Sequence, residues 1–211
     1  MPKRALSRDE SKSITRRRLL DAAASLLGTT GSGGLSASAV ARAADVAQPT
    51  FYVHFRDKDD LLRTLGEDRF GALRGKLRAA RERYFAGQGL DAVRETFRVP
   101  LEIWTRDPEL LRVYLQERFR EGSPLADQAR QLRADVCSDL AEDLERFGLA
   151  SRSARGRERV AMIAEAIVAQ TEALALGLCD GRFESLDTAV EVLTDFAAAL
   201  LELPRSSLQH T

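Results

Sequence analysis

Cysteine and histidine are scarce in this chain, and their scarcity excludes several kinds of site. Of its 211 residues, two are cysteine and two are histidine. Cys137 and Cys179 are far apart with no paired spacing, which argues against a disulfide scaffold or a zinc site and for a reducing cytoplasm. With His54 and His210 as the only histidines, neither a Ser-His-Asp arrangement nor a His-based metal site is available. The sequence therefore disfavours an enzyme and predicts no cofactor and no metal, while a redox-sensing cysteine pair stays open.

Long apolar runs, two-residue alternation and internal repeats are also missing. No apolar run reaches the roughly 18 residues that a membrane-spanning helix needs. Residues 1–12 are basic and polar with no apolar stretch behind them, unlike a secretory signal. The glycine-rich segment Gly28–Gly34 follows no strand and precedes no Gly-Lys-Ser/Thr, so it is not a phosphate-binding loop. These absences predict an all-α fold with no membrane partner.

The net charge is zero, but the charges are unevenly distributed. Residues 1–58 contain ten Lys/Arg against five Asp/Glu, so the remainder contains 22 against 27. A basic first quarter joined to an acidic remainder indicates that one end of the chain contacts a polyanion and the other does not.

The segment Ser36–Phe55 is predicted to form two short helices with a tight turn between them. Ser36 is a good N-cap for an alanine-rich first helix. Asp45 stands where the chain turns, since Asp tolerates the left-handed conformation better than most residues. The second helix begins near Gln48, and Pro49 is acceptable in its first turn because the N–H it lacks would be unpaired there.

The second of these helices has two distinct faces. Phe51 and Phe55 are four residues apart and are expected to anchor the helix inward. A short helix that buries two aromatic rings and displays hydrogen-bonding side chains suits insertion into a DNA major groove. A helical hairpin in an ordinary all-α core is the alternative that the pattern leaves open. The outward side chains are Gln48, Thr50, Tyr52 and His54.

Basic residues flank this helix pair on both sides. A helix is predicted over about Ser13–Leu27, with arginines at 16–18 near its start, where they oppose the helix dipole. They are best explained by an approaching phosphate, with a solvated helix face as the alternative. On the other side, Asp57 and Asp60 form a predicted capping box, and Lys58 beside the exposed N–H groups suits a phosphate clamp.

The rest of the chain is predicted to be helical, with few chemically distinctive groups. The pattern predicts helices over about 90–105, 108–120, 124–147, 154–178 and 186–203, the first of them kinked at Pro100. The middle helices contain aromatic and aliphatic residues that suit either core packing or an apolar ligand cavity, with polar groups to orient a ligand. The candidate ligand-binding residues are Phe97, Leu101, Trp104, Leu111, Tyr114, Phe119, Gln170 and Thr171.

The last two helices are so apolar that they can cover one core and still have surface left to bury. Such an excess points to self-association through a helical bundle, with packing inside the chain as the alternative. The candidate dimerisation residues are Ile163, Ile167, Leu174, Val190, Leu193, Phe196 and Leu200.

The order and spacing of four segments resemble the N-terminal DNA-binding domain of TetR-family transcriptional regulators. These segments are Thr15–Ala23, Ser36–Val46, Pro49–Phe55 and Asp57–Leu62. The resemblance implies a three-helix DNA-binding domain, a linking fourth helix and a ligand-binding domain that dimerises through its last two helices. The expected division is a flexible basic arm at 1–12, a helix-turn-helix domain at 13–56 and a helical ligand-binding and dimerisation domain at 57–211.

Positions that match the family's motif carry expected roles. Two departures are visible: Asp45 stands where the family often has glycine, and Ala47 where a capping serine is common. The resemblance, with the arginine cluster, gives a recognition surface of Gln48, Pro49, Thr50, Tyr52 and His54, and phosphate contacts from Arg16, Ser36 and Lys58.

A further likeness concerns the effector. Leu111–Leu125, together with Phe51–Asp60, resembles the branch of the family that controls fatty-acid synthesis and senses acyl-CoA or other acyl ligands. The resulting hypothesis is a cytoplasmic, homodimeric repressor that binds a palindromic double-stranded DNA operator and a small apolar effector, acyl-CoA or a fatty-acid-like molecule. The alternatives are a helical protein-interaction module without sequence-specific DNA binding and a small enzyme.

Overall fold

The computed structural model describes residues 7–85, 90–146 and 153–200, and these ranges are helical with no strand. The all-α prediction is confirmed. Residues 1–6 of the expected arm, the expected helix ends at 147 and 203, and His210 lie outside the described residues. The helices are α1 (Arg8–Thr30), α2 (Ala37–Ala43), α3 (Gln48–His54), α4 (Lys58–Phe85), α5 (Leu90–Arg106), α6 (Pro108–Glu117), α7 (Pro124–Arg146), α8 (Ala154–Cys179) and α9 (Leu186–Leu200).

The first helix begins earlier than the predicted start near Ser13. Ser7 caps it, accepting a hydrogen bond from the Glu10 amide at 3.1 Å, while the Glu10 carboxylate accepts the Ser7 amide at 2.7 Å. This reciprocal capping box satisfies two amides that a helix start leaves unpaired. Residues 8–12, expected in the arm, are therefore helical, and the arginines at 16–18 lie in the second quarter of α1 instead of its first turn.

The chain divides into two compact units, and the first contains α1 to α3. It comprises Met1–Arg69 and Glu109–Ala129. α2 packs against both α1 and α3, because their apolar side chains share one core. The fully buried side chains of this unit include Leu19, Leu27, Val40, Phe51, Phe55, Leu61, Leu62, Leu111 and Leu125.

The second unit, Phe70–Pro108 and Arg130–Thr211, is built around α5, which packs against α8 and α9. Arginines on the second half of α4 pair with aspartates on α7. Arg74 is 2.9 Å from Asp135, and Arg81 is 2.9 Å from Asp139 and also pairs with the buried Asp143. We call these contacts the α4–α7 ion-pair ladder.

By length and composition, α8 is the one helix in the described part of the chain that is apolar enough to cross a membrane. Its 18-residue window has a mean hydropathy of 1.5, although only 28% of that window is buried. Glu165 and Glu172 interrupt its apolar residues, so the sequence contains no continuous apolar run of that length there. Both glutamates pair with Arg133 of α7, which holds α8 in the bundle.

Candidate DNA-binding surface

Two short helices and a left-handed turn present the candidate surface, as the sequence predicts. The Ser36 hydroxyl accepts a hydrogen bond from the Ala39 amide at 3.1 Å and caps α2. Asp45 has a φ of 52°, the only positive φ of a non-glycine residue in the described ranges. Arg18 donates to the Asp45 backbone oxygen at 3.4 Å. The predicted left-handed role of Asp45 is therefore confirmed.

The third helix is held by its aromatic residues more than by its cap. Ala47 occupies the N-cap position without a side-chain hydrogen bond, and Pro49 lies in the first turn. Phe51 and Phe55 are 0% and 1% exposed, with ring centroids 5.7 Å apart. Two such buried rings contribute several kcal/mol of apolar burial, on the order of 2 kcal/mol each. The inward anchors predicted from the sequence are confirmed.

The other side of α3 is open to solvent. Gln48, Pro49 and Tyr52 are exposed, and Thr50 and His54 are half-buried. Val53, which the sequence reasoning did not name, is 66% exposed and is an apolar group on this otherwise polar face. Its position four residues after Pro49 is the signal that marks it as outward.

Each arginine of the 16–18 cluster has a partner within the first unit. Arg17 contacts Asp21 and Asp68, and Arg18 contacts Asp45. Arg16 donates to the His54 backbone oxygen at 2.6 Å and to Thr64 Oγ1 at 3.3 Å. Because the cluster does not lie in the first turn of α1, the dipole argument for a phosphate partner no longer applies.

His54 lies at the C-terminal end of α3 beside two cations. Its Nδ1 is buried without a hydrogen-bond partner. Burial, followed by the charges of Lys12 and Arg16, lowers the pKa of His54 from its usual value. The lowered pKa favours the neutral imidazole near pH 7.

The start of α4 follows the two short helices, where the sequence predicts a capped helix end beside Lys58. The Asp57 side chain accepts from the Asp60 amide at 2.8 Å, which confirms Asp57 as N-cap. The reciprocal bond differs from the expected capping box, since the Asp60 carboxylate accepts from the Arg56 amide at 2.9 Å. Lys58 is exposed in the first turn of α4.

The candidate ligand-binding residues are divided between the two units. Phe97, Leu101 and Trp104 of α5 are buried in the second unit, where Thr171 of α8 is also buried and Gln170 is half-buried. The Thr171 hydroxyl donates to the Ile167 backbone oxygen at 2.9 Å. In the first unit, Leu111 and Tyr114 of α6 are buried.

Phe119 differs from the rest of this candidate set. It follows the end of α6 and is 76% exposed, with the Arg118 guanidinium 4.6 Å from its ring centroid. α6 ends at Glu117, short of the predicted 120, so the Phe119 side chain is not carried inward by a helix. Phe119 therefore does not line a buried cavity in the first unit.

The two cysteines are free thiols with little access to solvent. Burial raises the pKa of the Cys137 thiol to about 12, and a hydrogen bond and the negative charge of Glu165 add to the shift. Cys179 donates to the Trp104 backbone oxygen at 3.5 Å. A thiol with so high a pKa is a poor nucleophile at neutral pH. No group of three or more His, Cys, Asp or Glu side chains in the described ranges could hold a metal ion.

The candidate dimerisation residues lie mostly on the inner faces of α8 and α9. Four of the seven are buried within the chain, and the other three, Leu174, Phe196 and Leu200, are half-buried. The apolar residues on the outer faces are smaller, apart from Met162 at 63% and Val192 at 53% exposure. The sequence pattern selected the large aliphatic residues, which the core of the second unit takes instead. The four buried residues are Ile163, Ile167, Val190 and Leu193.

Two family models match the parts of the chain that these elements form. Residues 19–65 match the model for bacterial regulatory proteins of the tetR family, and residues 111–200 match the tetracyclin repressor-like C-terminal domain. A helix-turn-helix followed by a helical ligand-binding domain defines a transcriptional regulator. The chain belongs to the tetR family, whose members are non-enzymatic and act at DNA operators as dimers with small-molecule effectors.

Solved structures share the fold along nearly the whole chain. A TetR-like transcriptional regulator from Rhodococcus sp. RHA1 has 21% identity and a TM-score of 0.71 over 95% of this chain and 100% of its own. A TetR family transcription regulator from Marinobacter aquaeolei has 17% identity and a TM-score of 0.67, covering 91% and 97%. The fatty acid degradation regulator FadR from Bacillus halodurans has 18% identity and a TM-score of 0.66, covering 90% and 96%.

Proposed function

We propose that the chain is a cytoplasmic repressor that binds a palindromic operator as a homodimer. The observation that carries this proposal is the outer face of α3, which exposes hydrogen-bonding side chains such as those of Gln48 and Tyr52 while buried aromatic rings fix its position. In a dimer, two such helices enter successive major grooves, so the operator repeats with the symmetry of the protein. The two free thiols, Cys137 and Cys179, agree with a reducing compartment.

The test is DNA binding to the region upstream of the chain's own gene. Fluorescence anisotropy with the full-length protein should give salt-sensitive, sequence-selective binding to a palindrome. A duplex with one half-site intact and the other scrambled is the matched control, and it should bind much more weakly. Equal binding to the full palindrome, the half-site and random DNA would contradict the proposal. The repressor role is tested by transcription from the same promoter, which should rise when the gene is deleted.

Within this site the side chains divide by chemistry. We assign base contacts to Gln48 and Thr50 because amide and hydroxyl groups bond base edges. Val53 suits the methyl group of thymine, the one apolar group in the major groove. The remaining contacts are to phosphates, from Ser36, Tyr52, Lys58 and His54.

We propose that the dimer forms through the outer faces of α8 and α9. Met162, Ala166, Ala169 and Ala173 recur at three- and four-residue spacing, opposite the buried face of α8. We call these four residues the α8 outer stripe. Alanines at an interface let helix backbones approach closely. Only 28% of the apolar window of α8 is buried within the chain, and a partner helix against the stripe would bury more of it. Val192 and Ala199 of α9 are exposed in the same way.

The effector that we propose is acyl-CoA or a fatty-acid-like molecule bound in the C-terminal domain. Two observations support it: the apolar side chains of Phe97, Leu101 and Trp104 on α5, and the overall likeness to a fatty acid degradation regulator. The test titrates the protein–operator complex with acyl-CoAs of increasing chain length, with free fatty acids and with coenzyme A alone. Operator affinity should change with the acyl compounds and not with coenzyme A. A response to coenzyme A alone, or to none of them, would contradict this effector class.

α4 is the element through which we propose that effector binding reaches the DNA. Its second half is held by the α4–α7 ion-pair ladder. Its first half contacts α1, through Thr64 with Arg16 and through Asp68 with Arg17. A helix is stiff along its length, so a shift at one end moves the other and changes the separation of two recognition helices.

A further inference from the structure

Arg16 has one contact with the recognition helix, one with Phe55 just after it and one with α4. One nitrogen of its guanidinium donates to the His54 backbone oxygen at 2.6 Å, and the other to Thr64 Oγ1 at 3.3 Å. Its Cζ lies 4.4 Å from the centroid of the Phe55 ring. A single side chain of α1 therefore contacts the last turn of α3, the residue that follows it, and the second turn of α4.

These contacts include a hydrogen-bond donor for a backbone carbonyl at the end of α3. A helix of seven residues leaves most of its carbonyl groups without an intrahelical partner. The His54 carbonyl receives a charge-assisted bond from Arg16, and a cation at a helix C-terminus also interacts favourably with the dipole. The guanidinium makes a cation–π contact with Phe55 while two of its nitrogens donate hydrogen bonds, a combination of geometry that the point charge of a lysine does not match. Thr64 is in turn fixed by donating to the Asp60 backbone oxygen at 2.9 Å.

We propose that Arg16 is a positioning residue that sets the angle of the recognition helix, and that it is not a phosphate contact. The proposal rests on the proposed recognition surface of α3. Through Thr64, Arg16 also joins the recognition helix to α4, so that movement of α4 reaches α3 directly.

The His54 side chain is also under the electrostatic influence of Arg16. Lys12 and Arg16 are the two cations that act on it, both from α1. Burial and the positive charges of these two residues favour the neutral imidazole. Arg16 thus contacts the backbone of His54 and also acts on the charge of its side chain.

The first test compares Arg16→Lys with Arg17→Lys in the full-length protein. Both variants preserve the net charge, and Arg17 contacts Asp21 and Asp68 without touching α3. Arg16→Lys should weaken operator binding by about tenfold or more, the worth of one charge-assisted hydrogen bond, and leave binding to random DNA unchanged. Arg17→Lys should bind the operator like the unaltered protein. Thr64→Val, which removes one acceptor, should give a smaller loss of the same kind.

The salt dependence distinguishes positioning from phosphate contact. Arg16→Met should leave the slope of log affinity against log salt on random DNA unchanged. If Arg16 contacts a phosphate, that slope falls by about one, Arg16→Lys retains most of the affinity, and the proposal is overturned. Absence of selective binding by the unaltered protein would instead reject the operator proposal, so the two failures are distinguishable.

A histidine titration gives a readout that general destabilisation would not produce. The chain has two histidines, so the NMR signals of His54 are assigned by comparison with His54→Gln. Arg16→Met should raise the pKa of His54, because a neighbouring positive charge is removed, whereas Arg17→Met should leave it in place. Circular dichroism verifies that both variants are folded. An unchanged His54 titration in folded Arg16→Met would overturn the positioning role.

Discussion

At the scale of single residues, the outer face of α3 separates base reading from backbone contact. Gln48→Ala should relax the base preference at one operator position, because a well-placed amide contributes about 1–3 kcal/mol of discrimination between bases. Tyr52→Phe should weaken binding to all sequences alike, since a phosphate contact carries no sequence information. Anisotropy with an operator set that varies one base pair at a time measures both. An unaltered base preference in Gln48→Ala would show that the assignment of Gln48 is wrong.

Val53 has a test that isolates its proposed thymine contact. Replacing one thymine of the half-site by deoxyuridine removes only the C5 methyl group. For the unaltered protein, one such replacement should weaken binding by about 1 kcal/mol, the scale of a buried methyl group. The same replacement should have no effect on Val53→Ala. If Val53→Ala and the unaltered protein respond equally at every thymine, Val53 does not contact a thymine methyl group.

At the scale of elements, α3 has no side-chain hydrogen bond at its N-cap position, and the hydroxyl oxygen of a serine there would supply one. Ala47 already has the extended conformation of an N-cap, with φ −68° and ψ 144°. Ala47→Ser should therefore stabilise the protein by about 1 kcal/mol, the usual contribution of a capping hydroxyl. Urea denaturation measures this change. Ala43→Ser, at an exposed position within α2, is the control and should be neutral or slightly destabilising.

The α4–α7 ion-pair ladder should have a pH-dependent contribution to stability. Arg81→Met leaves the buried Asp143 without its main partner and should cost about 3 kcal/mol at pH 7. Arg78→Met is the control, because Arg78 pairs with Glu82 on its own helix in an exposed position. A stable Arg81→Met with unchanged thermal unfolding would contradict the structural role of the ladder.

Burial raises the pKa of the Asp143 carboxyl from its usual value despite Arg81, and loss of Arg81 raises it further. A carboxyl with a raised pKa favours the folded state below its unfolded pKa, and this contribution is lost as the pH rises through the folded pKa. The loss of folding stability caused by Arg81→Met should therefore be largest at neutral pH. It should shrink toward about pH 4, near the unfolded pKa of Asp. Thermal unfolding across this range measures it.

The sequence predicted helices, turns and caps better than it predicted contacts between residues far apart in the chain. The anchors Phe51 and Phe55, the turn at Asp45 and the cap at Asp57 follow from local spacing and chemistry, and the structure confirms them. The partners of Arg16 lie 38 and 48 residues away, on elements whose approach no local pattern reveals. The arginines at 16–18 therefore appeared unpaired in the sequence although each has a contact.

The same reason explains why most of the candidate dimerisation residues are buried within the chain. Hydrophobicity identifies α8 and α9 as apolar, but it does not say which apolar face the chain buries by itself. The core of the second unit buries Ile167 and Val190, and Ala169 is left outside. Which apolar residues of such a helix face the core depends on its tertiary neighbours.

At the scale of the whole molecule, the α8 outer stripe predicts how the dimer can be broken. Ala169→Glu places a charge where a partner helix must approach closely and should shift the protein to monomer, with loss of operator binding. Ala161→Glu is the control, at an exposed position of the same helix away from the α8 outer stripe. Sedimentation velocity measures the oligomeric state. A dimeric Ala169→Glu would show that another surface holds the two copies together.

The contacts between α1 and α4 have a consequence for synthesis on the ribosome. Arg16 binds Thr64, Arg17 pairs with Asp68, and Asp21 pairs with Arg69. A nascent chain emerges at about 5–20 residues per second, so all of α1 leaves the ribosome seconds before its partners. The first unit cannot complete these contacts until α4 has emerged as far as Arg69. A fragment that ends at residue 56 lacks every one of these partners, whereas one that ends at residue 69 has them all.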